Sequence, residues 1–452
     1  LGAAAVARCA IGIDAPVAEA ATLEAACVGA PTVERDLRSD GAGVQSVSGR
    51  GAPVASVGSI PDDLNLVVIT VDTLRVDLGF MGYDRPVSPN LDALAARSTV
   101  FERAYSTASY TGKSVGPMMI GRFASECRRD GAHFDTYAQE NTLLAERLHD
   151  VGFHTMGVAS HWYFKRKYGL AQGMDIWDMS ALGSGAVNWQ ATSAVVSDVA
   201  IGLLSDPANV GGRFFLWAHY FDPHQAYLRH PEAPDFAAGA VSAAKALYDG
   251  EVWYTDHHIG RLLEFISSQP WADRTAVIVT SDHGEAFGEH GMTGHGVDLW
   301  EPLVRVPLVV YVPGVSPHRV RVRRSLIDLV PTVLDLMGVA QPPPGELSGQ
   351  STAAAIVAPV GAPLDERDVY LDMPAGPQVS EHHAIIRGPT PGLKLLHEGG
   401  PVFFLFDLSK DPGEAVDLAR DRALLAPMIT ALGAKRASLH PARLTPVLSA
   451  AR

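Results

Sequence analysis

The chain has little of what several common function classes need. Its three cysteines, Cys9, Cys27 and Cys127, fall at no metal-ligand spacing, and an odd number excludes a closed disulfide framework. Lysine and arginine number 36 against 50 acids, and the formal charge of -14 argues against a nucleic-acid or anionic-membrane surface. Any anion the protein handles must therefore meet a local cationic site. No stretch approaches the roughly 18 to 20 uninterrupted apolar residues that span a bilayer. The short run Val306 to Val312 reads instead as a buried strand. Aromatic residues are absent from the first 62 positions, which are rich in alanine, glycine, valine and serine and lack periodicity; residues 1–62 read as a loosely ordered leader or linker. The first residue is leucine instead of methionine, which fits a signal or membrane segment ahead of it.

Packed structure is expected from "LNLVVITVDT" onward, where Leu66 to Val71 form a β-branched apolar run bounded by polar turn residues. "SPNLDALAARS" places Leu91, Leu94 and Ala95 at helical spacing behind Ser88 and Pro89, which suit a helix start. Helices are then expected near "ENTLLAERLHDVG", "ATSAVVSDVAIGLLS" and "DHHIGRLLEFISSQ", alternating with strands near "HTMGVAS", "RFFLWAHYF", "TAVIVTSDHG" and "VPLVVYVPG". Such alternation predicts an α/β fold, a large mostly parallel sheet with helices on both faces over residues 63–340. The tail, with "AIIRGPTPGLKLLHEGGPVFFLFDLSKDPGE", reads as short strands with glycine turns, a smaller antiparallel C-terminal subdomain over 341–452.

In parallel sheets reactive groups collect beyond the carboxyl ends of strands. Three strand ends here carry polar residues: Asp72 and Thr73, His219 through His224, and Asp282 and His283. A lone Asp72 is more often a cap or turn residue. Together with Asp282 and His283 it becomes a metal site, because carboxylate and imidazole suit manganese, zinc, magnesium or calcium. "SDHGEAFGEHGMTGHG" adds His290 and His295 among glycines, where backbone can approach a substrate and imidazoles can serve oxyanions or a leaving group. His219 and His224 in "HYFDPHQAY" offer the same, and His290 is as well read as structural. The stretch "YSTASYTGKSVGPMMIGR" supplies hydroxyls and a lysine, and composition alone does not separate Thr111, Lys113 and Ser114 as its reactive group.

These segments, with "RVPLVVYVPG", "LIDLVPTVLDLMGV" and "LFDLSKDPGEAVDLA", resemble in order the signatures of the sulfatase family of the alkaline phosphatase superfamily, from about residue 64 to about residue 420. The resemblance implies that superfamily's doubly wound α/β domain with a smaller C-terminal sheet. It also implies a register. Sulfatases carry Cys or Ser in C/S-x-P-x-R before a trailing Thr-Gly-Arg; anchoring on Gly121 and Arg122 puts Thr111 at the nucleophile position, Lys113 at the proline and Val115 at the arginine. Threonine cannot become formylglycine. It holds this position in relatives that cleave or transfer phosphoryl groups, and a divalent cation makes such a hydroxyl a competent nucleophile.

The resemblance thus implies a metal-dependent hydrolase or transferase of phosphate or phosphonate esters, without formylglycine. Asp72, Asp282, His283 and Thr111 would hold one manganese or zinc ion, or calcium, with Thr73 standing where sulfatases have a second acid. His224 and His295 would act on the transferred group beside Thr111, with Lys113 replacing charge lost at Val115; a solvated loop lysine is the alternative there. His161 and Arg75 would contact the anion, and Asp77 is structural. Sulfate-ester hydrolysis without formylglycine and an inactive anion-binding relative are the alternatives. The family's bacterial members commonly act outside the cytoplasm, which implies a periplasmic or extracellular location.

Overall fold

The structure is a computed structural model and describes residues 60–183, 190–377 and 379–444. The leader reading of residues 1–62 falls almost wholly outside the described residues, as do Cys9 and Cys27.

The strands are, in chain order, β1 (Asn65–Val71), β2 (Thr99–Tyr105), β3 (His154–Ala159), β4 (Ile176–Asp178), β5 (Phe214–Tyr220), β6 (Thr275–Ser281), β7 (Ala286–Phe287), β8 (Thr293–Gly294), β9 (Arg305–Tyr311), β10 (His318–Val320), β11 (Arg324–Ser325), β12 (Val369–Met373), β13 (His382–Arg387), β14 (Leu393–His397) and β15 (Phe403–Asp407). The main sheet runs β10-β2-β9-β6-β1-β5-β3-β4, with β11 also on β2. Its pairs are parallel except that β9 lies antiparallel to β2 and β6. The mostly parallel doubly wound sheet expected from the sequence is therefore present.

Side chains alternate across β1, and both faces are apolar. Leu66 and Val68 pack with Val115, Met118, Leu144 and Val330, from the helices Thr111–Ile120, Leu144–His149 and Leu329–Leu336. Val67, Ile69 and Val71 pack with Leu91, Leu94, Val196, Ala200, Ile259 and Leu262, from the helices Pro89–Ala95, Ser193–Ser205 and Ala243–Ser267. A strand buried on both faces has no polar alternation to show, which is why its sequence reads as a continuous apolar run. Each fully buried leucine or valine in these layers stabilises the fold by about 1.5–3 kcal/mol.

Strands β12 to β15 form the second, antiparallel sheet, in chain order. One face, with Leu371, Ala384, Leu396 and Phe406, packs on Leu299 and Leu303. The other, with Tyr370, Ile385, Leu395 and Leu405, is covered by Met428 and Leu432 of the helix Arg422–Ser438. Lys394 Nζ, buried in β14, lies 3.1 Å from Glu301 Oε1 and 2.8 Å from Glu414 Oε1.

Two segments depart from the sequence reading. The helix Arg422–Ser438 carries only two buried apolar residues and a proline, too weak a stripe for periodicity to reveal. The stretch around Thr111 is a helix whose every residue from Thr111 to Ile120 is buried. Gly116 makes that possible, since a Cβ there would stand 2.1 Å from the Tyr137 ring. Lys113 is correspondingly buried, which excludes the alternative of a solvated loop lysine.

Candidate active site

The three polar strand ends belong to β6, β1 and β5, which are neighbours in the sheet. The register pairing Val71 with Ser281 and with Tyr220 sets Asp72 beside Asp282 on one side and the end of β5 on the other. The Asp72 amide continues that pairing by donating to Tyr220 O at 2.9 Å. The next residue, Thr73, has φ of 56°, a left-handed conformation that costs a β-branched residue about 1–3 kcal/mol. Two bonds hold it there. Its amide donates to Asp282 Oδ1 at 3.3 Å, and its carbonyl accepts from Tyr248 OH at 2.9 Å.

Thr111 opens its helix, so the positive end of the helix dipole falls on its hydroxyl. Its Oγ1 lies 3.1 Å from His283 Nε2 and 3.4 Å from Asp72 Oδ2. The His283 Nδ1–H donates to Gly284 O at 2.9 Å, so Nε2 offers a lone pair to the site. One ligand atom from each of Asp72, Asp282 and His283 falls within 4.8 Å of the others.

The electrostatics of this cluster call for a cation. Asp72 Oδ1, Asp282 Oδ2 and His219 Nε2 are buried without a hydrogen-bond partner. Burial raises both carboxyls, and the charge of Asp72 helps push Asp282 up to about 8. Burial also holds His283 well below the ordinary imidazole value. Two buried carboxylates beside a neutral imidazole fit a divalent ion, which would neutralise the acids and satisfy the orphaned oxygens. Members of the sulfatase superfamily use divalent metal ions.

His219 has a place that sequence reasoning left undefined. Trp217 Nε1 donates to Thr70 Oγ1 at 2.9 Å, and Thr70 Oγ1 stands 2.8 Å from His219 Nδ1. The other ring nitrogen, Nε2, faces Asp72 Oδ2 at 3.5 Å. Burial holds His219 down at about 4, and the ring is neutral. It sits behind the Asp72 carboxylate without a formed hydrogen bond to it. Alternation along β5 is the signal that could have found it, because residues 217 and 219 share a face with Thr70.

The other expected residues are distributed as follows. His224 Nδ1 bonds Gln225 O at 2.6 Å, and its ring lies 4.9 Å from that of His295. The His295 ring is 4.5 Å from that of His283, and its Nδ1 is 3.0 Å from Glu285 Oε1. Burial alone would lower His295, but Glu285 raises it to about 9. His161 Nδ1 accepts from the Tyr163 amide at 3.3 Å, and its ring stacks on Phe221, which in turn stacks on His224. Lys113 Nζ lies 3.7 Å from Asp135 Oδ2, and Asp135 also accepts from Arg129 at 2.7 Å. Arg75 is held by Asp77 and Glu289, each at 2.8 Å, so protein carboxylates already neutralise it. His290 stacks on Trp300 at 3.8 Å.

Comparison with known proteins agrees with this architecture. The model of the Sulfatase family matches residues 64–339. The chain is 29% identical over 177 residues to the Delta 4,5-hexuronate-2-O-sulfatase of Bacteroides thetaiotaomicron, covering 36% of this chain and 34% of the relative. It is 28% identical over 206 residues to a multifunctional alkaline phosphatase superfamily protein of Trinickia caryophylli, covering 42% of this chain and 38% of the relative. The matched region thus spans little more than a third of either relative. The fold is that of the phosphonate monoester hydrolase of Agrobacterium radiobacter, with a TM-score of 0.66 at 19% identity over 83% of this chain and 95% of that one. With its family model matched from β1 past β11, the chain belongs to the sulfatase family.

Proposed function

We propose that the protein is a metal-dependent hydrolase of phosphate or phosphonate esters with Thr111 as its covalent nucleophile. The observation that carries this reading is the Thr111 hydroxyl, which stands at a helix N-terminus within 3.4 Å of both an acid and an imidazole of the candidate metal cluster.

Asp72, Asp282, His283 and Thr111 would hold a divalent cation, manganese or zinc by the mixed oxygen and nitrogen donor set, which would supply positive charge beside the Thr111 hydroxyl and the ester. Thr111 Oγ1 passes its proton to Asp72 Oδ2, 3.4 Å away, as it attacks phosphorus in line, and the bond to the leaving oxygen breaks. That oxygen takes its proton from His295, while His224 and His161 would hold the other oxygens of the transferred group. Lys113 adds positive charge beneath the helix start. Water then attacks the phosphothreonine and gives a proton to His295, while the departing Thr111 oxygen recovers its proton from Asp72. An alcohol in place of water makes the same cycle a transferase. By analogy with the family, the protein acts outside the cytoplasm; among the described residues no helix is long and apolar enough to cross a membrane.

Sulfate-ester hydrolysis is the second reading, favoured by the relatives, one of which is a hexuronate 2-O-sulfatase. Against it stands Thr111, which cannot supply a formylglycine. The test is a panel of chromogenic phosphate monoesters, diesters, phosphonate esters and sulfates, each with chelator, manganese or zinc. Metal-dependent turnover of phosphorus esters above sulfates is expected. Turnover confined to sulfates, or none with any metal, would overturn the reading.

A further inference from the structure

Three imidazoles near Thr111 are tied through Nδ1, but to different groups. His283 and His224 bond backbone carbonyls, Gly284 O at 2.9 Å and Gln225 O at 2.6 Å. His295 alone of the three bonds a carboxylate, Glu285 Oε1 at 3.0 Å. The pairing is built into the backbone. Strands β7 and β8 form a short antiparallel ribbon with Ala286 opposite Gly294 and Phe287 opposite Thr293. Continuing the register by one residue sets Glu285 opposite His295.

Glu285 is itself fixed and wholly buried. Tyr227 OH donates to its Oε2 at 2.9 Å, and Arg75 Nη1 donates to its backbone carbonyl at 2.6 Å. Arg75 is anchored in turn by Asp77 and Glu289. The carboxylate therefore has one oxygen on Tyr227 and one on His295, and its main chain is clamped. The side chain cannot rotate away without breaking one of these contacts.

We infer that Glu285 is the positioning residue that makes His295, and not His224, the group exchanging a proton with the leaving oxygen. This rests on the phosphorus-ester reading above. By accepting from Nδ1–H, Glu285 fixes the ring with Nε2 turned to the reacting side. When the ester bond breaks, its electron pair goes to the leaving oxygen, which takes the Nε2 proton. The N–H electron pair returns to the ring, leaving a neutral imidazole whose Nδ1–H still rests on Glu285. In the second step water transfers a proton to Nε2 as its oxygen bonds phosphorus. A buried carboxylate compensates the imidazolium before and after each cycle, and a carbonyl dipole does so less well. Arg75 and Tyr227 thereby acquire a role: they hold the group that holds His295.

The experiment measures kcat/KM of wild type, Glu285→Gln and Tyr227→Phe on a series of phenyl phosphodiesters or phosphonates whose phenols span a wide range of acidity. Protonation matters most for poor leaving groups, so Glu285→Gln is expected to lose on the order of 100-fold on phenol and less than about tenfold on nitrophenol. Tyr227→Phe steepens the same dependence by less. His295→Ala is expected to show the slope of Glu285→Gln, and the double variant to add no further loss. A uniform loss across the series in both Glu285→Gln and Tyr227→Phe, or no loss in Glu285→Gln, overturns the inference. If Glu285→Gln does not fold, Tyr227→Phe carries the test: a steepened slope supports the inference and an unchanged one overturns it. A wild-type protein that cleaves no member of the series overturns the phosphorus-ester reading, and this inference with it.

Discussion

Thr111 Oγ1 stands 3.1 Å from Nε2 of His283, although 172 residues separate the two in the chain. The contact is made by two unrelated devices, a helix start on one side and the end of a central strand on the other. Neither residue is reactive alone. A threonine hydroxyl is a poor nucleophile near neutral pH, and an imidazole held by a carbonyl is an ordinary ligand. Brought together beside two buried carboxylates, they define where a cation and an ester would meet.

Asp282→Asn should remove one of the cluster's acids without changing its shape. A fall in bound manganese or zinc, measured as metal content after dialysis against limiting metal, is expected. Full retention of metal would place the ion elsewhere.

His219→Ala tests the imidazole behind Asp72 and leaves the cluster of Asp72, Asp282 and His283 intact. Loss of such a supporting group typically weakens metal binding about 10- to 100-fold. Competitive chelator titration should show a decrease in that range. Unchanged affinity would make His219 a packing residue only.

The metal-free protein should lose stability as pH rises from about 6.5 to 9. Burial and the charge of Asp72 raise Asp282 to about 8, so the folded state keeps a proton that the unfolded chain has released. Burial works against the His295 cation, yet Glu285 raises it to about 9, with the same sign over this window. His219, held down at about 4 by burial, acts at lower pH and in the opposite direction. Each group contributes at most about 1.4 kcal/mol per pH unit. Thermal melts of chelated protein should therefore fall across the window, and added divalent metal should flatten the Asp282 part. A rise with pH would contradict the electrostatics of the site.

Gly116→Ala should destabilise the nucleophile helix, because the new methyl would meet the Tyr137 ring at 2.1 Å. Tyr137 OH also donates to Gly112 O at 2.8 Å, so the ring cannot withdraw without loss. Overpacking of this kind costs about 1–3 kcal/mol, readable as a lower denaturation midpoint. An unchanged midpoint would show that the helix yields freely.

Much of the frame was legible because β1, β5 and β6 are buried on both faces and read as apolar runs. Polar residues at their ends stand out against such runs, which is how Asp72, Asp282 and His283 could be found. Thr111 was not legible from pattern. Its helix is buried all round and contains Gly112, Gly116 and Pro117, residues that read as loop, so only register against the sulfatase signature selected it. His219 and Glu285 were obscured for another reason. Their importance lies in what they hold, and partners such as Thr70 and Tyr227 are 149 and 58 residues away.

The most direct measurement is the mass of the peptide containing Thr111 after rapid quenching of metal-loaded protein turning over a phosphorus ester. A phosphoryl or phosphonyl increment on Thr111 is predicted, absent from Thr111→Ala, with turnover in that variant lowered by about 1,000-fold or more. An unmodified peptide, together with Thr111→Ala turning over as fast as wild type, would contradict Thr111 as the nucleophile.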